Sequence, residues 1–188
     1  MTPLRPAEIA AYLLLQNALW LLVTWGAGAG HLLWPSAIIA AVLAAACWRA
    51  GPQWWRVAVL LAVGLACAFA VDGSLIKIRL VGYAGAAPGL PVPPPWIISL
   101  WLLFAATLAL PARNLLTSPV VAGIIGGIGG PLAYLGGRSL GAIDTNRTGL
   151  IVVGVFFALA TPVLVLVANR LLPPAVRGPA PGRRPKHP

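Results

Sequence analysis

The sequence predicts an all-α fold: a polytopic transmembrane helical bundle of about six spans, with both termini cytoplasmic. Three observations carry that reading. Of 188 residues, 60% are hydrophobic and only 9% are charged, whereas a soluble domain carries about 25% charged residues. Mean hydropathy is +0.91. The apolar residues fall in six stretches long enough, or nearly so, to cross a bilayer, and almost all charge lies between or beyond them. No polar segment is long enough to bury a core of its own.

Span 1 runs from about Ile9 to Trp25, after a short polar lead containing Arg5. A cleaved signal peptide is the rival reading. The length of the apolar run, with Glu8, Gln16 and Asn17 in or beside it, favours a retained helix. Gly26–Gly30 is a turn. Span 2 runs from about Leu32 to Trp48, with Trp34 and Pro35 suited to its start. The basic, aromatic link from Arg49 to Arg56 reads as an interface, with Trp48, Trp54 and Trp55 at headgroup level.

Span 3 starts near Arg56. Its continuous apolarity ends at Val71, and helix extends as far as Leu80 unless Ile76–Leu80 forms a short strand or an interfacial segment. Gly82–Pro95 reads as a loop without hydrogen-bonded structure, outside the hydrocarbon. Span 4 runs from Trp96 to about Leu110, span 5 from Pro119 to Leu135, and span 6 from Leu150 to Ala168 with Pro162 as a kink. Residues 1–170 thus form a single transmembrane domain. Residues 171–188 form a basic, proline-rich tail with a disordered composition.

Net charge is +10, from 13 Lys and Arg against 3 Asp and Glu. With the N-terminus inside, nine basic residues are cytoplasmic. Four (Lys77, Arg79, Arg138, Arg147) lie opposite, which satisfies the positive-inside bias. A five-span arrangement with a re-entrant span 5 would weaken that bias. The basic residues mark helix ends and the tail, so membrane lipid is the expected partner and nucleic acid is not. The abundance of Arg, Ala, Gly and Pro points to a bacterial chain, hence the inner (plasma) membrane.

Asp72 is the most informative single residue. A carboxylate in a span costs about 2.5–3.5 kcal/mol at mid-membrane, so it needs water or a partner. Arg138, Lys77, Arg79 and His31 are the expected partners. The bland alternative is a helix-end residue in the headgroup zone. Tyr134 and Arg138 lie one helical turn apart, which predicts a shared face at the outer end of span 5. Gln16 and Asn17 in span 1 either hydrogen-bond another helix or line a polar site. The candidate polar site is therefore Asp72, Tyr134, Arg138, Gln16 and Asn17.

Gly123, Gly126, Gly127 and Gly130 make overlapping small-xxx-small pairs in span 5, suited to close helix packing. Contact in a homo-oligomer or with a membrane protein partner is a second use. A broken helix at Pro131, lining a site, is a third. Cys47 and Cys67 differ in depth by roughly 15 Å or more, too far for a disulfide. No metal site or cofactor is expected: two thiols lack the ligand set for zinc, and His31 has no second ligand nearby. No nucleophile elbow, HExxH, phosphate loop or dinucleotide fingerprint is present.

The run Asp72-Gly-Ser-Leu75, then Gly82, Pro95-Trp96, Leu100-Trp101 and Phe104-Ala105 resembles the domain of unknown function 2878 family of small bacterial inner-membrane proteins. Asn17-x-x-Trp20, Gly129-Gly130-Pro131, Tyr134, Gly137 and Gly141-Ala142 also resemble it. The resemblance covers most of the chain except the tail. It implies a compact helical bundle in the inner membrane and no particular activity. Two functional readings stand. One is a non-enzymatic membrane component that contacts lipid or a protein partner. The alternative is a small lipid-modifying enzyme, or a carrier for a lipid-soluble substrate, with its polar site near the outer leaflet.

Overall fold

The computed structural model of the chain describes residues 6–109 and 118–171. The basic tail, Arg5, Arg113 and the end of span 4 lie outside them. The described residues form six α-helices and one two-stranded antiparallel ribbon. In chain order these are α1 (Pro6–Gly28), α2 (Trp34–Arg49), α3 (Trp54–Lys77), β1 (Val81–Tyr83), α4 (Pro95–Ala109), α5 (Pro119–Ser139), β2 (Ile143–Thr145) and α6 (Arg147–Leu171). A single 3-10 turn, Gly51–Gln53, separates α2 from α3.

Four helices (α1, α3, α5 and α6) are long and apolar enough to cross a membrane. α2 and α4 are equally apolar but have 16 and 15 residues, about 22–24 Å of helix at 1.5 Å per residue. Prolines open several helices where an unpaired N–H costs nothing: Pro35 in α2 and Pro119 in α5.

Two expectations are corrected. The stretch after Gly82 is not free of hydrogen-bonded structure. β1 pairs with β2 in the register Val81↔Thr145, Gly82↔Asp144, Tyr83↔Ile143. Span 5 is not broken at Pro131: α5 runs uninterrupted through it. Its glycines let α6 lie close, and the Pro131 ring seats against α6, 3.2 Å from where a Cβ on Gly154 would stand. α3 continues beyond Asp72 to Lys77, so Asp72 is a helix-interior residue and not a helix terminus.

The ribbon reveals an internal repeat. α3 ends in a Schellman motif: Leu80 N–H donates to the Leu75 carbonyl and Arg79 N–H to that of Ile76, each at 3.0 Å. α5 ends identically, with Ala142 donating to Gly137 and Gly141 to Arg138, again at 3.0 Å. The left-handed residues are Arg79 (φ 57°) and Gly141 (φ 74°). Each motif is followed at the same interval by a three-residue strand, then by a helix. Gly82 and Asp144, the middle residues, pair with each other, as an approximate two-fold axis through the ribbon requires.

The matching continues in the helices. A Cβ on Gly64 in α3 would stand 2.8 Å from the Ala105 Cβ and 3.2 Å from the Trp101 carbonyl of α4. Gly126, at the same step of α5, faces Thr161 and the Phe157 carbonyl of α6, two residues likewise four apart. The molecule is therefore two like-built units, α3-β1-α4 and α5-β2-α6, with α1 and α2 packed alongside. Asp72 and Tyr134 hold equivalent positions in the two units.

Candidate functional site

Asp72 is fully buried (0% exposed). Three neutral donors surround its carboxyl group. Tyr83 Oη donates to Oδ1 at 2.6 Å, Tyr134 Oη donates to the same oxygen, and Trp101 Nε1 donates to Oδ2 at 2.6 Å. The two phenol oxygens lie 2.9 Å apart. Burial pushes the Tyr83 phenol well above its ordinary range, with Tyr134 and Asp72 adding to the shift, so Tyr83 stays a proton donor. The four residues come from α3, β1, α4 and α5, and their hydrogen bonds tie the two units together.

None of the cations expected beside Asp72 is its partner. Lys77, Arg79, Arg138 and His31 are all exposed. The reason is the Schellman turn. Beyond Asp72 the chain reverses into β1, which brings the Tyr83 phenol back over the carboxyl group and leaves Lys77 and Arg79 outside. The Pro-rich loop closes the same end: a Cβ on Gly73 would stand 2.9 Å from the Pro91 carbonyl, so glycine is what admits the loop here. Trp96 holds that loop by donating from Nε1 to the Ala84 carbonyl at 2.8 Å.

The carboxyl group adjoins a cavity of about 410 Å³ between α1, α3, α4, α5 and α6. Asp72, Tyr134, Gln16 and Asn17 all line it. Its walls are chiefly aromatic: Trp20, Trp96, Trp101, Phe104 and Phe157. Trp101 and Phe157, at equivalent steps of the two units, stack with ring centroids 4.9 Å apart. Asn17 donates to its own helix, to the Leu13 carbonyl at 2.8 Å, and not to a neighbouring helix. Thr161 Oγ1 is buried without a hydrogen-bond partner.

Arg138 is not part of this site. It is exposed, whereas Tyr134 one turn earlier is buried. The turn between them carries Arg138 into a separate groove beside the ribbon, lined also by Arg79, Arg147 and Asp144. The glycines of α5 divide likewise. Gly123, Gly126, Gly127 and Gly130 all face α6. Gly129 has no atom within 4 Å of a Cβ position; it lines the cavity, as do Gly126 and Gly130 where they meet α6.

Sequence reasoning missed Tyr83, Trp101, Phe157 and Thr161 as site residues. Trp101 carried a usable signal. Away from span ends, a tryptophan is outside the interfacial belt and its N–H needs a buried acceptor. Tyr83 carried none, because its strand is short and follows a turn.

The family model described as "Protein of unknown function (DUF2878)" matches residues 8–163, so the chain belongs to that family. No curated protein and no solved structure matches it.

Proposed function

We propose that this member of the DUF2878 family is a multi-pass inner-membrane protein that binds and carries a lipid-soluble molecule. The observation supporting this reading most is the aromatic cavity of about 410 Å³ with a fully buried carboxyl group at its wall. That volume is within the roughly 300–1,000 Å³ of small-molecule sites. The site also stands between two like-built units. Carriers built from repeats place their substrate at that interface, near the bilayer midplane. A lipid-modifying enzyme is the alternative, and chemical change of the bound molecule would establish it.

The side of the cavity between α1 and α5 is open in a way that suits entry from lipid. Asn17, Ile125 and Gly129 line the cavity and are themselves exposed. Further along the same seam, Trp20 closes on α5, 2.8 Å from a Cβ on Gly136. Native mass spectrometry of the protein from bilayer nanodiscs tests the reading. We expect wild-type protein to retain a small molecule, and Gly129→Trp, which fills the cavity mouth, to lose it. Wild-type and variant spectra without any such difference would overturn the proposal.

The arginine groove supports a lipid contact. Arg79, Arg138 and Arg147 come from three separate segments, and Asp144 is the single carboxylate among the groove's lining residues. Arg79 occupies the left-handed region, at a cost of about 1–2 kcal/mol, where the equivalent residue is Gly141. Guanidiniums at the end of a span are suited to lipid phosphates.

A further inference from the structure

We infer that the cavity selects lipid-soluble molecules bearing an organic cation, such as a substituted ammonium group, and that this cation exchanges with a proton on Asp72. The inference rests on the carrier reading above and names the substrate class of the same site.

Charge is the first argument. Among the described residues, Asp72 is the one charged residue lining the cavity. The groups around its carboxyl are Tyr83 from β1, Tyr134 from α5 and Trp101 from α4, all neutral donors. α6 presents Phe157 and Thr161, and α1 presents Gln16, Asn17 and Thr24. Among the described residues, no Lys, Arg or His lines the cavity. Hydrogen bonds lessen the cost of a buried carboxylate but leave its charge uncompensated. Either a proton or a cation completes the site.

The walls are the second argument. Six aromatic side chains line one cavity: Trp20, Trp96, Trp101, Phe104, Tyr134 and Phe157. Aromatic faces attract ammonium groups, tryptophan most strongly, and the attraction grows when the cation is desolvated. The same faces and the carboxylate repel an anion. A neutral molecule fills the volume but gains nothing from Asp72. Thr161 Oγ1, buried and unpartnered, offers an acceptor to a polar N–H on the same ligand.

The exchange balances simply. The Asp72 O–H bond breaks, its proton leaves to solvent, and the carboxylate so formed pairs with the arriving cation. No covalent bond to the ligand forms. Release of the cation returns the proton.

Benzyltrimethylammonium and its uncharged isostere neopentylbenzene separate charge from shape. Calorimetric titration into full-length protein in nanodiscs, against lipid-only nanodiscs, should show the cation binding at least about tenfold tighter, or about 1.4 kcal/mol. Heats in two buffers of different ionisation enthalpy should reveal proton release with the cation and none with the isostere. Asp72→Asn should keep the isostere's affinity and lose both the preference and the proton. Equal binding of the two probes would overturn cation selection and leave the cavity reading standing. Binding of neither probe would overturn the carrier reading itself. A preference persisting in Asp72→Asn, or cation binding by wild-type protein without proton release, would overturn the role of Asp72.

Discussion

At the scale of single residues, Asp72 shows what a sequence exposes and what it hides. An acid in an apolar run is visible at once, as is its need for a partner. The identity of the partners is not visible. Proximity along the helix suggests Lys77 and Arg79, but the Schellman turn sends them outward and returns Tyr83 instead. Mutational energetics follow from this geometry. Asp72→Leu leaves three buried donors without an acceptor and should cost about 3 kcal/mol or more. Tyr134→Phe removes one donor of three and should cost about 1–3 kcal/mol. Asp72→Asn should stay near wild-type stability, because its amide NH2 can face the phenols while its oxygen accepts from Trp101. Thermal unfolding in detergent should give that order, and an Asp72→Asn variant as unstable as Asp72→Leu would contradict the described network.

At the scale of elements, the six helices are legible because burial in lipid demands long apolar runs. The ribbon is not legible, because strands of three residues leave no alternation to detect and Gly82 occupies the centre of one. The α5 glycines are legible as a packing surface but not as two surfaces. Gly126 meets α6 so closely that a Cβ would stand 2.8 Å from that of Thr161. Gly126→Leu should therefore overpack the α5–α6 contact and cost about 1–3 kcal/mol. Gly129→Leu faces open space and should unfold no earlier than wild type, while displacing any probe from the cavity. Equal destabilisation by the two substitutions would show that the tight and open positions of α5 are not distinct.

At the scale of the molecule, the two like-built units are invisible in the sequence because equivalent positions carry different residues. Gly64 and Gly126 agree, but Asp72 faces Tyr134 and Trp101 faces Phe157. Backbone requirements persist at the turns and glycine contacts, while the one carboxylate of the site falls in the first unit and Tyr134 takes its place in the second. The units also bear on orientation. α3 and α5 both end at the ribbon, so the ribbon, the loop after it and the arginine groove lie at one end of the bundle. The turn before α3 is at the other end, beside Arg49 and Arg56. We propose that the second end is the cytoplasmic one, which the positive-inside bias favours. In protein with Cys47 and Cys67 replaced by alanine, Ala87→Cys should react with a membrane-impermeant maleimide on intact cells. Gln53→Cys, also at an exposed position, should react only after permeabilisation. The reverse pattern would invert the molecule and set the arginine groove against the cytoplasmic leaflet. Labelling of both cysteines on intact cells would show that α3 does not cross.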